Sequence, residues 1–284
     1  MKKLGQRLLI FFVGLPLLVC LIVFFPQKQH LALNILVVLL SSAGALEYAA
    51  MLRLKNHGIY PVEAAVFGAL GPAAATVQVS FTRSGGIILA AVVFGAAWFL
   101  VSRVFSGEKD IEKALERIAG GFSVIVYPGL FLVWIIRMAL FPEAAKVILI
   151  FLLIVCAGDS TAWASGMVLG RGNRGVVAAS PNKSIAGFIG GFIASLLVSL
   201  GAVLFFPGIF YSAKLPPLLA GFILGLGTGL AAVLGDLSES VLKRGVNIKD
   251  SGTLIPGRGG VLDSIDSIAL AAPVFYCLYR LFFF

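Results

Sequence analysis

Five of the thirteen acidic residues of this 284-residue chain fall in one stretch near its end, Asp236 to Ser267, reading DLSESVLKRGVNIKDSGTLIPGRGGVLDSIDS. They are Asp236, Glu239, Asp250, Asp263 and Asp266, with Lys243, Arg244, Lys249 and Arg258 among them. If the chain stays helical past Asp236, then Asp236, Ser240 and Lys243 share one face at i, i+4 and i+7. Asp263 and Asp266, three apart, share a face of the next helical stretch. Carboxylates, cations and a Gly-rich turn (Gly257, Gly259, Gly260) beside apolar spans are the ingredients of a site for divalent metal and phosphate. A solvated basic loop that merely obeys membrane topology would need neither Asp236 nor the Asp263/Asp266 pair at the span edges.

Further polar residues stand upstream. Asp159 falls in the latter half of an apolar span, in VCAGDSTAWASGMVLGRGNRG. A lone acid inside a membrane span is a functional residue by default. The competing reading is an Asp satisfied by the hydroxyls of Ser160, Thr161 and Ser165. A Gly/Arg loop, GRGNRG, follows, then SPNKS, in which Ser180, Lys183 and Ser184 form a helix start rich in hydroxyls and carrying a cation. Backbone N–H groups at such a start hold phosphate; a plain N-cap beside an interfacial lysine is the alternative. Glu47, late in the second apolar span, reads first as an interfacial acid close to Arg53 and Lys55, with a role in the site as the alternative. Glu63 and Glu143 fall outside the site.

The elements that must position these residues are apolar. The chain is 60% hydrophobic and 12% charged, with a mean hydropathy of +1.03, which excludes a soluble globule. Nine stretches are long enough to span a membrane: 8–25, 31–52, 61–81, 85–105, 118–140, 144–165, 185–206, 217–238 and 262–283. The sequence therefore predicts an all-α polytopic membrane protein forming one domain over residues 1–284, with Asp236–Ser267 as its signature region. The N-terminal run lacks a small-x-small cleavage site and reads as an uncleaved first span. Cys20, Cys156 and Cys277 all lie within spans, without a CxxC, and read as packing residues. Tyr127-Pro128 predicts a kink, and 106–117 a charged amphipathic surface segment.

A net charge of +9 follows from membrane topology without any nucleic-acid partner. With nine spans, six of the 22 basic residues (Lys28, Arg83, Arg137, Lys146, Lys214, Arg280) fall on one side and sixteen on the other. That asymmetry predicts a cytoplasmic N-terminus, an external C-terminus and a cytoplasmic Asp236–Ser267 stretch, where nucleotides are. Gly187xxxGly191, Gly221xxxGly225 and Gly225xxxGly229 fit internal packing and a homodimer seam equally.

Together these residues resemble the phosphatidate cytidylyltransferase, or CDP-diacylglycerol synthase, family over essentially the whole length. The family's C-terminal signature appears as Ser240-Val-Leu-Lys243-Arg244, Lys249-Asp250, Pro256-Gly-Arg258-Gly-Gly260 and Asp263-Ser264-Ile-Asp266-Ser267. Asp159 in GDSTAW, Ser180-Pro-Asn-Lys183-Ser184 and Glu47-Tyr48 match as well. Three positions depart from the pattern: Arg258 stands where the family has His, Ser264 where it has Arg, and Ala186 where it has Glu. The first two read as a compensating pair, a guanidinium lost at one position and gained six residues earlier.

The resemblance implies transfer of CMP from CTP to phosphatidic acid, giving CDP-diacylglycerol and pyrophosphate at a bacterial-type inner membrane. It implies Mg²⁺, with Mn²⁺ as a substitute, held by Asp236, Asp263 and Asp266, and a second, monovalent cation in the same cluster. Lys243, Arg244, Lys249 and Arg258 then clamp phosphates, with Asp250 orienting Lys249, while Asp159, Ser180, Lys183, Ser184 and Ser240 face substrate. Two other readings stay open, a CTP-dependent polyprenol or lipid kinase and a catalytically degenerate homologue. A CDP-alcohol phosphotransferase is excluded, because no Asp-Gly-x-x-Ala-Arg run is present. A transporter would carry paired broken helices and a polar path at the midplane.

Overall fold

Backbone polar groups in an apolar setting must bond within their own segment, and this chain does so with helices. The computed structural model describes residues 10–55, 58–82, 84–102, 104, 111–211 and 214–284. The start of the first span, the cations at 2, 3, 7, 83, 103 and 109, and the early part of the 106–117 segment lie outside the described residues. Among the described residues there is no strand, only isolated bridges between Arg174 and Ser184 and between Ile255 and Gly259.

The helices are α1 (Leu15–Phe24), α2 (Gln27–Arg53), α3 (Pro61–Val77), α4 (Ile87–Val101), α5 (Ala114–Val124), α6 (Phe131–Met138), α7 (Ala144–Leu169), α8 (Ile185–Phe205), α9 (Pro217–Gly245) and α10 (Leu262–Phe283). A π-helical turn over Gln78–Thr82 extends α3, and another over Ile125–Leu130 joins α5 to α6. Seven helices are long and apolar enough, by length and composition, to cross a membrane: α2, α3 with its extension, α5 joined to α6, α7, α8, α9 and α10. The helices around residues 12–24 and 87–101 are apolar but shorter. Seven of the nine apolar stretches read from the sequence fall on these long helices, and 8–25 and 85–105 correspond, over their described residues, to the two shorter ones. In α2, Lys28, Gln29 and His30 have positive φ, so regular helix begins after them, where the predicted span starts.

Pro128 lacks an N–H to continue the ladder, and the helix widens into the Ile125–Leu130 π-turn around it. The kink expected at Tyr127-Pro128 thus takes this form.

The chain divides into two compact units. The first comprises Met1–Ala139 and Gly245–Ile265, the second Leu140–Arg244 and Asp266–Phe284. In the first, the Ser41 hydroxyl lies 2.8 Å from the Gly68 carbonyl and 2.5 Å from that of Pro128, tying α2 to α3 and to the π-turn. Glu63 in the first turn of α3 pairs with Arg117 of α5 at 2.6 Å, and Arg117 also sits over the Tyr60 ring.

In the second unit, small residues set the spacing. A Cβ at Gly191 would meet the Gly158 carbonyl of α7 at 3.0 Å, and one at Gly225 would meet Leu196 Cα of α8 at 3.1 Å. The Gly187xxxGly191 and Gly225xxxGly229 stripes therefore serve internal packing. An aromatic cluster at the far end of α10, with Phe141, Phe210, Phe275, Tyr276 and Tyr279, completes the unit.

Candidate active site

In the second unit, α9 and α10 meet backbone to backbone at Gly235. A side chain there would strike the Asp266 carbonyl and reach Leu270 Cβ at 3.2 Å. This close approach brings Asp236, the next residue of α9, beside Asp266 of α10. Asp266 is 8% exposed and lies within electrostatic reach of Asp236, Asp159 and Lys243. Its Oδ1 accepts the Ser267 N–H at 2.6 Å, which fixes its rotamer. Asp266 thus feels the charge of a carboxylate on α7 and of another on α9.

Two lysines answer them. Lys183, just ahead of α8, forms an ion pair with Asp236 Oδ2. Lys243 pairs with Glu239 Oε2 at 2.5 Å, one helical turn back on α9. Glu239 is fully buried, so the charge of Lys243 is what makes its burial tolerable. Sequence reasoning counted Glu239 among the acids but gave it no role. The signal was its i, i+4 spacing to Lys243.

Lys183 is placed by a compact connection between α7 and α8. The Gly175 N–H donates to the carbonyls of Pro181 (3.0 Å) and Lys183 (3.3 Å), and the Ile185 N–H donates to Asn173 O at 3.1 Å. Ser184 is buried, and its Oγ accepts the Gly187 N–H at 3.1 Å as the N-cap of α8. Ser180 is half-buried in the same connection and donates its N–H to Val177 O. Arg244 donates from Nε to Ala179 O at 3.3 Å, tying the end of α9 to this connection. Ser240 is half-buried on α9.

In the first unit, the 249–263 segment forms a second polar assembly. Asp263 Oδ2 accepts from Ser251 N (2.9 Å) and Gly260 N (2.7 Å), and the Ser251 hydroxyl lies 3.0 Å from it. Ile255 and Gly259 bond reciprocally to close a tight turn, with Gly257 (φ 77°) and Gly259 (φ 117°) in conformations that favour glycine. Arg258 stands exposed at the tip, and Lys249 and Asp250 are exposed at the base. Ser264 donates from Oγ to Gly260 O at 3.2 Å. Glu47, expected as an interfacial acid near Arg53 and Lys55, is instead bonded to this segment. It accepts the N–H groups of Val261 and Leu262 and the Ser251 hydroxyl.

No three His, Cys, Asp or Glu side chains among the described residues stand ready to hold a metal ion. The all-oxygen donor set at Asp266 nevertheless fits Mg²⁺, which binds through one or two carboxylates together with substrate phosphates and needs no protein cage.

A multi-pass helical membrane protein with buried acids and partnered lysines gathered between its helices is the class defined here. The model of the cytidylyltransferase family matches residues 5–282, and the chain belongs to that family. Over 136 residues it is 36% identical to a phosphatidate cytidylyltransferase of Synechocystis, covering 48% of this chain and 44% of the relative. The corresponding protein of Haemophilus influenzae is 41% identical over 128 residues, 45% of this chain and 43% of the relative. That of Staphylococcus saprophyticus is 37% identical over 132 residues, 46% and 48% of the two chains. The chain thus spans under half the length of the curated relatives it matches.

Proposed function

We propose that this protein is a nucleotidyltransferase that moves CMP from CTP to phosphatidic acid, giving CDP-diacylglycerol and pyrophosphate for phospholipid synthesis. The single observation that carries the reading is that buried Asp266 lies within electrostatic reach of Asp159, Asp236 and Lys243 in one unit. Membership of the cytidylyltransferase family supports it, as do the names of the relatives.

The chemistry suits these residues. A phosphate monoester is already largely ionised at neutral pH, so no strong base is needed. The difficulty is to bring one anion against a polyanion. Asp236 and Asp266 are assigned as the carboxylates that hold Mg²⁺ or Mn²⁺, with Asp263, one turn earlier on α10, as a third. A bound divalent ion neutralises charge on the phosphates and the leaving pyrophosphate. A second, monovalent cation is assigned to the same acids.

Lys183 and Lys243 exchange their carboxylate partners for phosphate as substrate arrives. Arg244, Lys249 and Arg258 bear on phosphate as well, with Asp250 orienting Lys249. Asp159, Ser180 and Ser240 face substrate, and Ser184 acts by capping the helix that follows Lys183. The protein works in the inner membrane with its site on the cytoplasmic side, its N-terminus inside and its C-terminus outside, as one domain that binds no nucleic acid.

Purified protein, phosphatidate, and CTP labelled separately in the base and the terminal phosphate test the reading. Base label in lipid supports it. Terminal-phosphate label in lipid would make the protein a kinase, and no label would make it a degenerate homologue. A cysteine placed at 252 and reached only from the periplasmic face would overturn the sidedness.

A further inference from the structure

Glu47 has no part in the chemistry above, yet its carboxylate is among the most fully used in the first unit. It sits on α2, more than two hundred residues from its partners. Oε1 accepts the Val261 N–H at 2.9 Å, and Oε2 accepts the Leu262 N–H at 2.9 Å and the Ser251 hydroxyl at 3.0 Å. Val261 and Leu262 are the residue before α10 and its first residue. Their N–H groups have no acceptor within the helix, and they carry the positive end of its dipole. Glu47 is therefore an N-terminal cap delivered from another helix.

The surroundings are shaped to admit it. A Cβ at Gly252 would run into Glu47 Oε1, and one at Gly260 would run into both Ser251 Oγ and Glu47 Oε2. Ser251 is buried and links Glu47 to Asp263, its Oγ lying 3.0 Å from a carboxylate oxygen of each. The first turn of α10 carries Asp263, and Asp266 follows one turn later.

We propose that Glu47 is a positioning residue for the transfer reaction: it fixes the start of α10, through Val261, Leu262 and Ser251, in the register that presents Asp263 and Asp266. This rests on the reading of those acids given above. Glutamine cannot replace it, because its amide nitrogen would face one of the two backbone N–H donors.

The test uses the full chain in detergent, with Glu47→Gln and Gly252→Ala compared with wild type. The second variant presses on the same carboxylate and leaves Glu47 chemically intact. Amide exchange on metal-free protein should rise at least about tenfold at Val261 and Leu262 in both variants, as for loss of a buried acceptor. Exchange in α7 and α8 should stay unchanged. In the transfer assay, kcat should fall at least about tenfold and the Mg²⁺ concentration for half-activation should rise, with the KM for CTP within about threefold.

Unchanged exchange at Val261 and Leu262 would overturn the cap. Raised exchange with unaltered kcat and Mg²⁺ response would overturn the link to the reaction. A wild-type protein without transfer activity would overturn the functional reading alone, and the exchange measurement would still decide the cap.

Discussion

Lys183 and Asp236, fifty-three residues apart in the chain, form a half-buried ion pair within the second unit. The pair occupies a carboxylate that the proposed reaction needs for metal and a cation that it needs for phosphate. Each group thus holds the other in place until substrate and metal compete for both. Asp236→Asn should release Lys183 to bind anions, so metal-free protein should take up CTP more tightly than wild type. Turnover should fall by about 10²-fold or more, the scale of losing one strong electrostatic stabiliser. Equilibrium binding in chelator together with saturating turnover checks this, and equal or weaker CTP binding would mean that the pair does not compete with substrate.

Glu239 and Lys243 allow structural and catalytic effects to be separated. Glu239 is fully buried, and its removal takes from Lys243 the carboxylate that neutralises it one turn back on α9. Glu239→Gln should lower thermal stability and turnover together. Adding Lys243→Met removes the uncompensated charge, so the double variant should regain much of the stability and none of the activity. Recovery of activity in the double variant would remove Lys243 from the site.

Much of this was legible in the sequence. Spans of apolar residues predicted the helices because an apolar setting leaves the backbone no other partner. The Asp236–Ser267 stretch announced itself by being polar where its neighbours were not. What stayed hidden was pairing across long sequence distance. Nothing local in ALEYAAMLRLK says that Glu47 caps a helix two hundred residues later. The glycine stripes could not be assigned to packing until Gly191 was seen against Gly158 and Gly225 against Leu196. Gly235 gave no sign that it admits the Asp266 carbonyl.

Glu63 was read as lying outside the site, and the structure gives it a different task. Its side chain and that of Arg117 are 14% and 10% exposed, and Trp98 Nε1 donates to Glu63 Oε1 at 3.3 Å. Breaking such a pair by removing one charge costs on the order of 3 kcal/mol. Glu63→Gln should therefore lower the unfolding temperature by several degrees while turnover per folded molecule stays within about twofold. Loss of turnover at full folded content would tie Glu63 to the reaction.

Arg258 and Ser264 remain the test of compensation. Arg258 is exposed at the tip of the glycine turn, and Ser264 is turned back on Gly260 O. If the guanidinium at 258 supplies the cation that the resemblance places at 264, Arg258→His alone should lose activity. Arg258→His with Ser264→Arg should then recover much of it. A double variant no better than the single one would end the compensation idea.

The carboxylates of α9 and α10 make the last prediction. Asp266 is buried with Asp236 and Asp159 close enough to repel it, and Lys243 offsets only part of that charge. A divalent cation relieves the conflict and supplies charge for the pyrophosphate. Activity should require Mg²⁺ or Mn²⁺, vanish with a chelator and return when either ion is restored. Asp236→Asn and Asp266→Asn should each cost about 10²-fold or more in turnover with little change in fold. Asp263→Asn should differ in kind. Its Oδ2 accepts two backbone N–H groups of the 251–260 segment, so the substitution should loosen that segment as well as slow turnover. Amide exchange at Ser251 and Gly260 separates the two classes. Near-normal metal-dependent turnover in both Asp236→Asn and Asp266→Asn would remove the acid cluster from the mechanism.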